Sequence, residues 1–180
     1  DDAGRSDEAA LIAERVPEAQ LIISPDKLSG AQRAAADGAD VILIDDGFQH
    51  RRLERDLDVV VMDARAPFGN GHQLPVGGMR ESPSSLARAD LVVLTHTEQL
   101  DPVQLHDSKA RIQAQNRGVP MILGTHRPLG VRSVTEQALR PVEDLKGQEV
   151  YLFCGIGSPE GFQSTVESLG AVVTGLAPFP

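Results

Sequence analysis

The chain has 180 residues, of which 41% are hydrophobic and 24% charged, a composition typical of a globular protein. It carries 17 Lys and Arg against 26 Asp and Glu, and the net charge of −9 argues against sequence-independent nucleic-acid binding, which needs a basic surface. The single cysteine, Cys154, excludes an internal disulfide framework and a thiolate zinc cluster, and no apolar run is long enough to cross a membrane.

Strand-like apolar runs alternate with helical stretches up to residue 124. Strands are predicted at 20–24, 41–44, 57–62, 91–95 and 121–124, and helices at 8–16, 28–37, 84–88 and 103–116. Ser29 is predicted to cap the second helix, and Gly38 to end it. The alternation is typical of a parallel α/β sheet, in which ligands bind beyond the carboxyl ends of the strands.

The pattern changes after Arg127-Pro128. Residues 130–142 are polar and lack a clear period, as in a linker or a short hairpin. A strand, a Gly-containing loop, a helix and a further strand follow from residue 149, like the first unit of a second α/β domain. We therefore predict a first domain over 1–128, a linker or hairpin over 129–148, and the beginning of a second, smaller domain over 149–180.

The segment VILIDDGFQHRRL, residues 41–53, matches the Walker B pattern, in which a carboxylate after a strand holds Mg²⁺ beside nucleotide phosphates. Asp45 is the candidate metal ligand. Apolar runs ending in Asp are common, but Asp46 and His50 strengthen the interpretation because two carboxylates and an imidazole are hard to explain by packing. The alternatives are a turn or helix cap for Asp46 and an ordinary surface histidine for His50.

A glycine-rich segment, FGNGHQLPVGGMRES, covers residues 68–82 and predicts a loop held close to a ligand or to other chain. Arg80 could contact a phosphate, with Glu81 beside it; the alternative is an exposed ion pair worth about 0–1 kcal/mol. Ser6-Asp7-Glu8 reads as ordinary helix capping. The Cys154-Gly155-Ile156-Gly157 segment lacks the third glycine of a dinucleotide loop, which favours a tight strand-to-helix turn.

Four segments in this order resemble the tetraacyldisaccharide 4′-kinase (lipid A 4′-kinase) family over roughly residues 6–180. They are DDGFQHRRLERDLDVVVMDA, FGNGHQLPVGGMRES, LARADLVVLT and FCGIGSPEGF. The resemblance implies a P-loop NTPase-like kinase domain followed by a second α/β domain. It also implies transfer of the γ-phosphate of ATP, with Mg²⁺, to the 4′-hydroxyl of tetraacyldisaccharide 1-phosphate. The product is lipid IVA, and the expected location is the cytoplasmic face of the bacterial inner membrane.

The same resemblance implies the roles of individual residues. Asp7 falls on the family's catalytic aspartate, within a G-D-E segment whose Gly is replaced here by Ser6. Asp45 falls on the metal-binding carboxylate, and further active-site positions fall on Asp46, His50, Arg80 and Glu81. Asp7 would accept the proton of the sugar hydroxyl or orient that hydroxyl. The separate roles of Asp46, His50 and Glu81 stay open.

Two parts of the family pattern are not found in these 180 residues. No G-x-x-x-x-G-K-[ST] phosphate loop occurs, and the family's Asp-His-His continuation after Phe-Pro is not reached. We therefore expect an internal fragment, whose phosphate loop and membrane anchor precede residue 1 and which is inactive alone. The alternative is a degenerate, non-catalytic nucleotide-binding α/β domain. The coding sequence upstream of Asp1 would distinguish the two.

Overall fold

The computed structural model describes residues 7–135 and 138–179, which form two compact units that divide after Thr125. Each unit has its own sheet and its own hydrophobic core. All the residues predicted for the site lie in the first unit.

From residue 59 onward the first unit alternates strands and helices, as predicted. Within the described residues its elements are α1 (Asp7–Arg15), α2 (Lys27–Ala36), β1 (Val59–Asp63), β2 (Leu91–Thr95), α3 (Pro102–Gln113) and β3 (Met121–Leu123), with 3₁₀ helices at Pro83–Arg88 and Thr97–Gln99. The strands pair in parallel in the order β1-β2-β3. The predicted fold class, an α/β chain with a parallel sheet, is confirmed.

The core of this unit lies between the sheet and the segments that cross it. Val92 and Leu94 of β2 and Ile112 of α3 are fully buried. Phe48 and Met79, which flank predicted site residues, pack against the same core. Packing of Phe48 and Met79 against the core therefore helps to hold in place the two candidate motifs, residues 41–53 and 68–82.

The strands predicted at 20–24 and 41–44 are wrong for this structure. Both segments have extended or irregular backbone, and among the described residues neither shares a backbone hydrogen bond with a neighbouring strand. Val41 and Leu43 are 76% and 92% exposed, so the apolar run that predicted burial on both faces is not covered. Hydrophobicity favours a strand only where a sheet supplies ladder bonds and packing.

The predicted cap of the second helix is also wrong. Asp26, rather than Ser29, is the N-cap of α2, and its carboxylate accepts a hydrogen bond from the Ser29 backbone N–H at 3.0 Å. Ser29 lies inside the first turn, where its amide is one of the donors that a cap satisfies. Gly38 follows the helix at a φ of +91°, as predicted for a residue that ends a helix.

The second unit begins with a two-stranded antiparallel hairpin and continues with a parallel pair of strands. Its elements are β4 (Val131–Arg132), β5 (Leu139–Arg140), a 3₁₀ helix (Val142–Leu145), β6 (Glu149–Cys154), α4 (Pro159–Ser168) and β7 (Val172–Pro178). Leu152, Val166 and Ala171 form its core. The domain boundaries predicted from the sequence stay a prediction.

Gly155 packs closely against an aromatic ring. A Cβ at this position would come within 2.6 Å of the Phe179 ring. Packing at a strand-to-helix turn therefore accounts for this glycine without a nucleotide.

Within the described residues, no helix combines the length and the apolar character needed to cross a membrane.

Candidate active site

Asp45 and Asp46 lie in a tight turn after the exposed 41–44 segment. Asp46 adopts left-handed backbone with a φ of 52°, which is uncommon for a residue other than glycine. Gly47 follows at a position with little space for a side chain, because a Cβ there would approach the Ile44 side chain to 3.0 Å. The Asp45 carbonyl accepts a hydrogen bond from Lys27 Nζ of α2. The backbone of Asp46 is thus compatible with the prediction that this residue forms a turn. The contacts of its side chain decide whether it also has a role in the site.

The glycine-rich segment closes on itself through backbone hydrogen bonds. Leu74 N–H donates to the Met79 carbonyl at 3.0 Å, and Met79 N–H donates to the His72 carbonyl at 3.3 Å. A Cβ on Gly77 would lie 2.1 Å from the His72 carbonyl oxygen, so only glycine fits there. Arg80 therefore directly follows a loop that is held closed by its own backbone hydrogen bonds.

Arg80 joins the two motifs. Its Nη1 lies 3.1 Å from Asp46 Oδ2, across 34 residues of sequence. The side chains are 59% and 63% exposed. An ion pair this exposed adds about 0–1 kcal/mol to stability, so its main consequence is to hold a cation beside the Asp45-Asp46 turn.

Glu81 has other partners than Arg80. Its carboxylate accepts hydrogen bonds from Arg88 Nη2 at 3.0 and 3.3 Å, and lies 3.5 Å from Arg51 Nη2. A hydrogen bond from the Ser85 hydroxyl holds the pKa of Glu81 below its usual value, and the two guanidinium groups act in the same direction. Glu81 is therefore an ionised side chain engaged in a half-buried network.

Arg88 is a central residue of this network, and the sequence analysis did not single it out. Its guanidinium stacks over the Phe48 ring at 4.3 Å, and Nη2 donates to the Phe48 carbonyl at 3.2 Å. Its local signal was weak, because an arginine near the end of a short helix is ordinary. The contacts join residues 40 positions apart, which a local pattern does not reveal.

His50 is exposed and lines a cavity of about 430 Å³ together with Asp26, Leu28, Gln49, Arg51, Arg52 and Leu53. Its backbone is fixed: the amide donates to the Gly47 carbonyl at 2.9 Å, and the carbonyl accepts from Arg55 Nη1 at 2.7 Å. Arg55 in turn pairs with Asp58 at 2.8 Å. Within the described part of the chain the imidazole has no hydrogen-bond partner, so it is accessible.

Another carboxylate, Asp63, does lie at a strand end, that of β1. Arg65 binds both of its oxygens, with Nε 3.0 Å from Oδ1 and Nη2 2.6 Å from Oδ2. His96 Nδ1 is 3.4 Å from Oδ2, because the parallel register sets Asp63 beside Thr95. The hydrogen bonds from Arg65 hold the pKa of Asp63 below its usual value.

The predicted catalytic aspartate is only partly described. Asp7 is the first residue of α1, but its side chain and the whole of Ser6 lie outside the described residues. Of the predicted site, the structure joins Asp46 to Arg80 by an ion pair. Asp45 and His50 lie on the same segment as Asp46, and Glu81 is adjacent to Arg80 but pairs with Arg51 and Arg88.

The family model for tetraacyldisaccharide-1-P 4′-kinase, LpxK, matches residues 1–180. The chain belongs to the tetraacyldisaccharide 4′-kinase family. The resemblance inferred from the four sequence segments is thereby confirmed.

Curated tetraacyldisaccharide 4′-kinases give the same result. That of Anaeromyxobacter dehalogenans strain 2CP-C is 41% identical over 99% of this chain and 47% of its own length. That of Elusimicrobium minutum is 40% identical over 89% of this chain and 42% of its own length. The chain thus spans about half the length of the curated relatives it matches.

A solved structure shares the fold. The LpxK protein of Aquifex aeolicus, crystallised as an "apo" form in complex with ATP, superposes with a TM-score of 0.65 at 28% identity. The match covers 97% of this chain and 51% of the LpxK chain.

Proposed function

We propose that the complete gene product carrying this chain is an ATP-dependent lipid kinase. It transfers the γ-phosphate of ATP to the 4′-hydroxyl of tetraacyldisaccharide 1-phosphate and forms lipid IVA in lipid A biosynthesis. The observation that carries the proposal is the Asp46–Arg80 contact, which joins two segments that the family resemblance rests on. Membership of the tetraacyldisaccharide 4′-kinase family supports the substrate assignment.

The site suits phosphoryl transfer because that chemistry depends mostly on positioning and on neutralising charge. Arg80 presents a guanidinium on an exposed side chain, with several N–H groups left for phosphate oxygens. Asp46 orients that guanidinium through its carboxylate. Glu81 stays ionised and holds the guanidinium groups of Arg51 and Arg88 in place beside Arg80.

Asp45 is the residue that would hold Mg²⁺. Within the described residues its carboxylate has no ion pair or hydrogen bond, and it is exposed beside Arg80's partner. No three His, Cys, Asp or Glu side chains in the described ranges converge as a complete metal site. That fits Mg²⁺, which is held by one or two carboxylates together with water and substrate phosphates. When bound, the ion would neutralise charge on the transferring phosphate.

Asp7 would accept the proton of the attacking sugar hydroxyl or orient it, and His50 would take part as a second polar group of the site. The accessible imidazole of His50 is suited to proton transfer or to contact with an anionic group. The cavity beside it carries Arg51 and Arg52, which suit a phosphorylated sugar.

The partners follow from the same reaction. ATP and the lipid A disaccharide precursor are the substrates, the membrane surface is where the precursor resides, and no nucleic acid is involved. We place the enzyme at the cytoplasmic face of the bacterial inner membrane, where ATP is available.

The test is a transfer assay on the complete gene product with labelled ATP, Mg²⁺ and tetraacyldisaccharide 1-phosphate. Labelled lipid IVA is the expected product. The isolated 180 residues, which contain no phosphate loop, should form none. Nucleotide binding by the complete protein without any lipid phosphorylation would contradict the proposal and favour a non-catalytic nucleotide-binding domain.

A further inference from the structure

We propose that Arg88 is a positioning residue that locks residues 45–50 against residues 80–88 and thereby sets the Asp46–Arg80 contact. The proposal rests on the proposed function, since that contact is where the reaction is assigned. Among the described residues Arg88 contacts neither Asp45 nor Asp46. It contacts Glu81, itself a predicted active-site position, and acts through the segments that it joins.

Arg88 makes three different contacts with the two segments. Its Nη2 donates to both oxygens of Glu81, the residue next to Arg80. The same nitrogen donates to the carbonyl of Phe48, two residues after Asp46. The guanidinium plane also stacks on the Phe48 ring at 4.3 Å. One side chain therefore fixes a backbone atom and an aromatic ring on one segment and a carboxylate on the other.

We call the contacts of Arg88 with Glu81 and Phe48 the clamp. The clamp is less exposed to solvent than the Asp46–Arg80 contact that it supports. The Arg88 and Glu81 side chains are 27% and 20% exposed, about half as much or less than those of Asp46 and Arg80. Exposed pairs are screened by water and hold geometry poorly, whereas charge-assisted bonds in a shielded site hold it well. The Asp46–Arg80 distance is thus set by its neighbours more than by its own attraction.

Arg88 Nε supports a role other than stability. It is buried and has no hydrogen-bond partner among the described residues. A buried unpartnered donor is unfavourable, so a residue selected for stability alone would avoid it. Lysine would relieve that orphan group but would lose the planar fork that reaches Glu81 and the Phe48 carbonyl together.

The test compares Arg88→Lys with Arg111→Lys in the complete gene product. Arg111 is a matched control, because its guanidinium also faces an aromatic ring of this unit, Phe68 at 5.8 Å, and it lies on α3 rather than on residues 45–50 or 80–88. Arg88→Lys should lower kcat/KM by about 10- to 100-fold, since small misplacements of reacting groups cost that much. Arg111→Lys should change kcat/KM by less than about 3-fold.

A double-mutant cycle with Asp46→Asn separates positioning from general destabilisation. If Arg88 acts through the Asp46–Arg80 contact, Arg88→Lys should cost less than about 3-fold in the Asp46→Asn background. Full additivity of the two effects would overturn the proposal. Phe48→Leu, which keeps apolar bulk but removes the aromatic face, should show the same coupling if Arg88→Lys does not fold.

Hydrogen exchange gives a readout that does not depend on activity. The amides of His50 and Leu53, bonded to the carbonyls of Gly47 and His50, should exchange faster in Arg88→Lys and at the wild-type rate in Arg111→Lys. Unchanged exchange in Arg88→Lys would overturn the clamp whatever the enzyme does. An inactive wild-type protein that shows the exchange difference would instead overturn the kinase assignment and leave the clamp supported.

Discussion

Asp45-Asp46 and Asp63 both follow short apolar runs in the first unit, VILI and VVVM, yet their surroundings differ. Asp63 ends a strand of the parallel sheet, and Arg65, two residues along, binds both of its oxygens. Asp45 lies outside any ladder with an exposed carboxylate, and Asp46 reaches Arg80 on a distant loop.

We infer from this difference that Asp63 is a structural carboxylate and that the Asp45-Asp46 pair is available for chemistry. Asp63 is neutralised by its own sequence neighbour, which lowers its pKa and closes the strand end. The Asp45-Asp46 pair draws on residues from two other segments, so it gathers groups that a substrate can also contact. Four measurements would test this comparison.

The largest effect is expected from Asp45→Ala in the complete gene product. Loss of the proposed metal-holding carboxylate should lower kcat by about 100-fold or more while leaving the thermal unfolding midpoint nearly unchanged. Steady-state transfer assays with saturating ATP measure this. Asp63→Ala serves as the reference, and a larger loss of kcat there would reverse the assignment of the two carboxylates.

Arg80 and Arg65, the arginine partners of Asp46 and Asp63, should differ in the same way in their effect on activity. Arg80→Ala should lower kcat/KM by about 10- to 100-fold, since a guanidinium that contacts phosphate stabilises developing charge. Arg65→Ala should change kcat/KM by less than about 3-fold and act mainly on stability. Equal kinetic losses in both variants, measured side by side, would remove the distinction between the sites.

The effects on stability should rank the two carboxylates in the opposite order from the effects on activity, with the larger loss of stability at Asp63. Asp63→Asn should lower the free energy of unfolding by about 1 kcal/mol, because it weakens a two-pronged pair that is about one-third exposed. Asp46→Asn should change it by less than about 0.5 kcal/mol, given the exposure of its pair. Urea titration of both variants tests this, and a greater loss in Asp46→Asn would be inconsistent with it.

The smallest effect is a pH dependence. The folded-state pKa of Asp63 lies below its usual 3.8, so its contribution to stability is present above that value and is lost as the pH falls through the lower folded-state pKa. Asp63→Asn should therefore lose less stability than wild type between about pH 6 and about pH 3. The pKa of Glu81 is also lowered, so protonation of Glu81 should reduce stability in acid in the same way. That part of the loss should remain in Asp63→Asn. Parallel acid-unfolding curves for wild type and Asp63→Asn would show no separation if the Arg65 pair were unimportant.

The sequence alone determined the elements whose signals are local. The runs that became β1, β2 and β3, the helices between them and the closure of α2 at Gly38 were predictable, because burial and glycine conformation act within a few residues. Family membership was also predictable, since it depends on the order and spacing of motifs.

Tertiary structure decided the features that join distant segments. Whether 41–44 forms a strand depends on a neighbour supplying ladder bonds, which an apolar run cannot specify by itself. Arg80 faces Asp46 and not the adjacent Glu81, and Arg88 faces Phe48, across 34 and 40 residues of chain. Such pairings are set by how the core brings segments together, so the residue types were readable in advance but their partners were not.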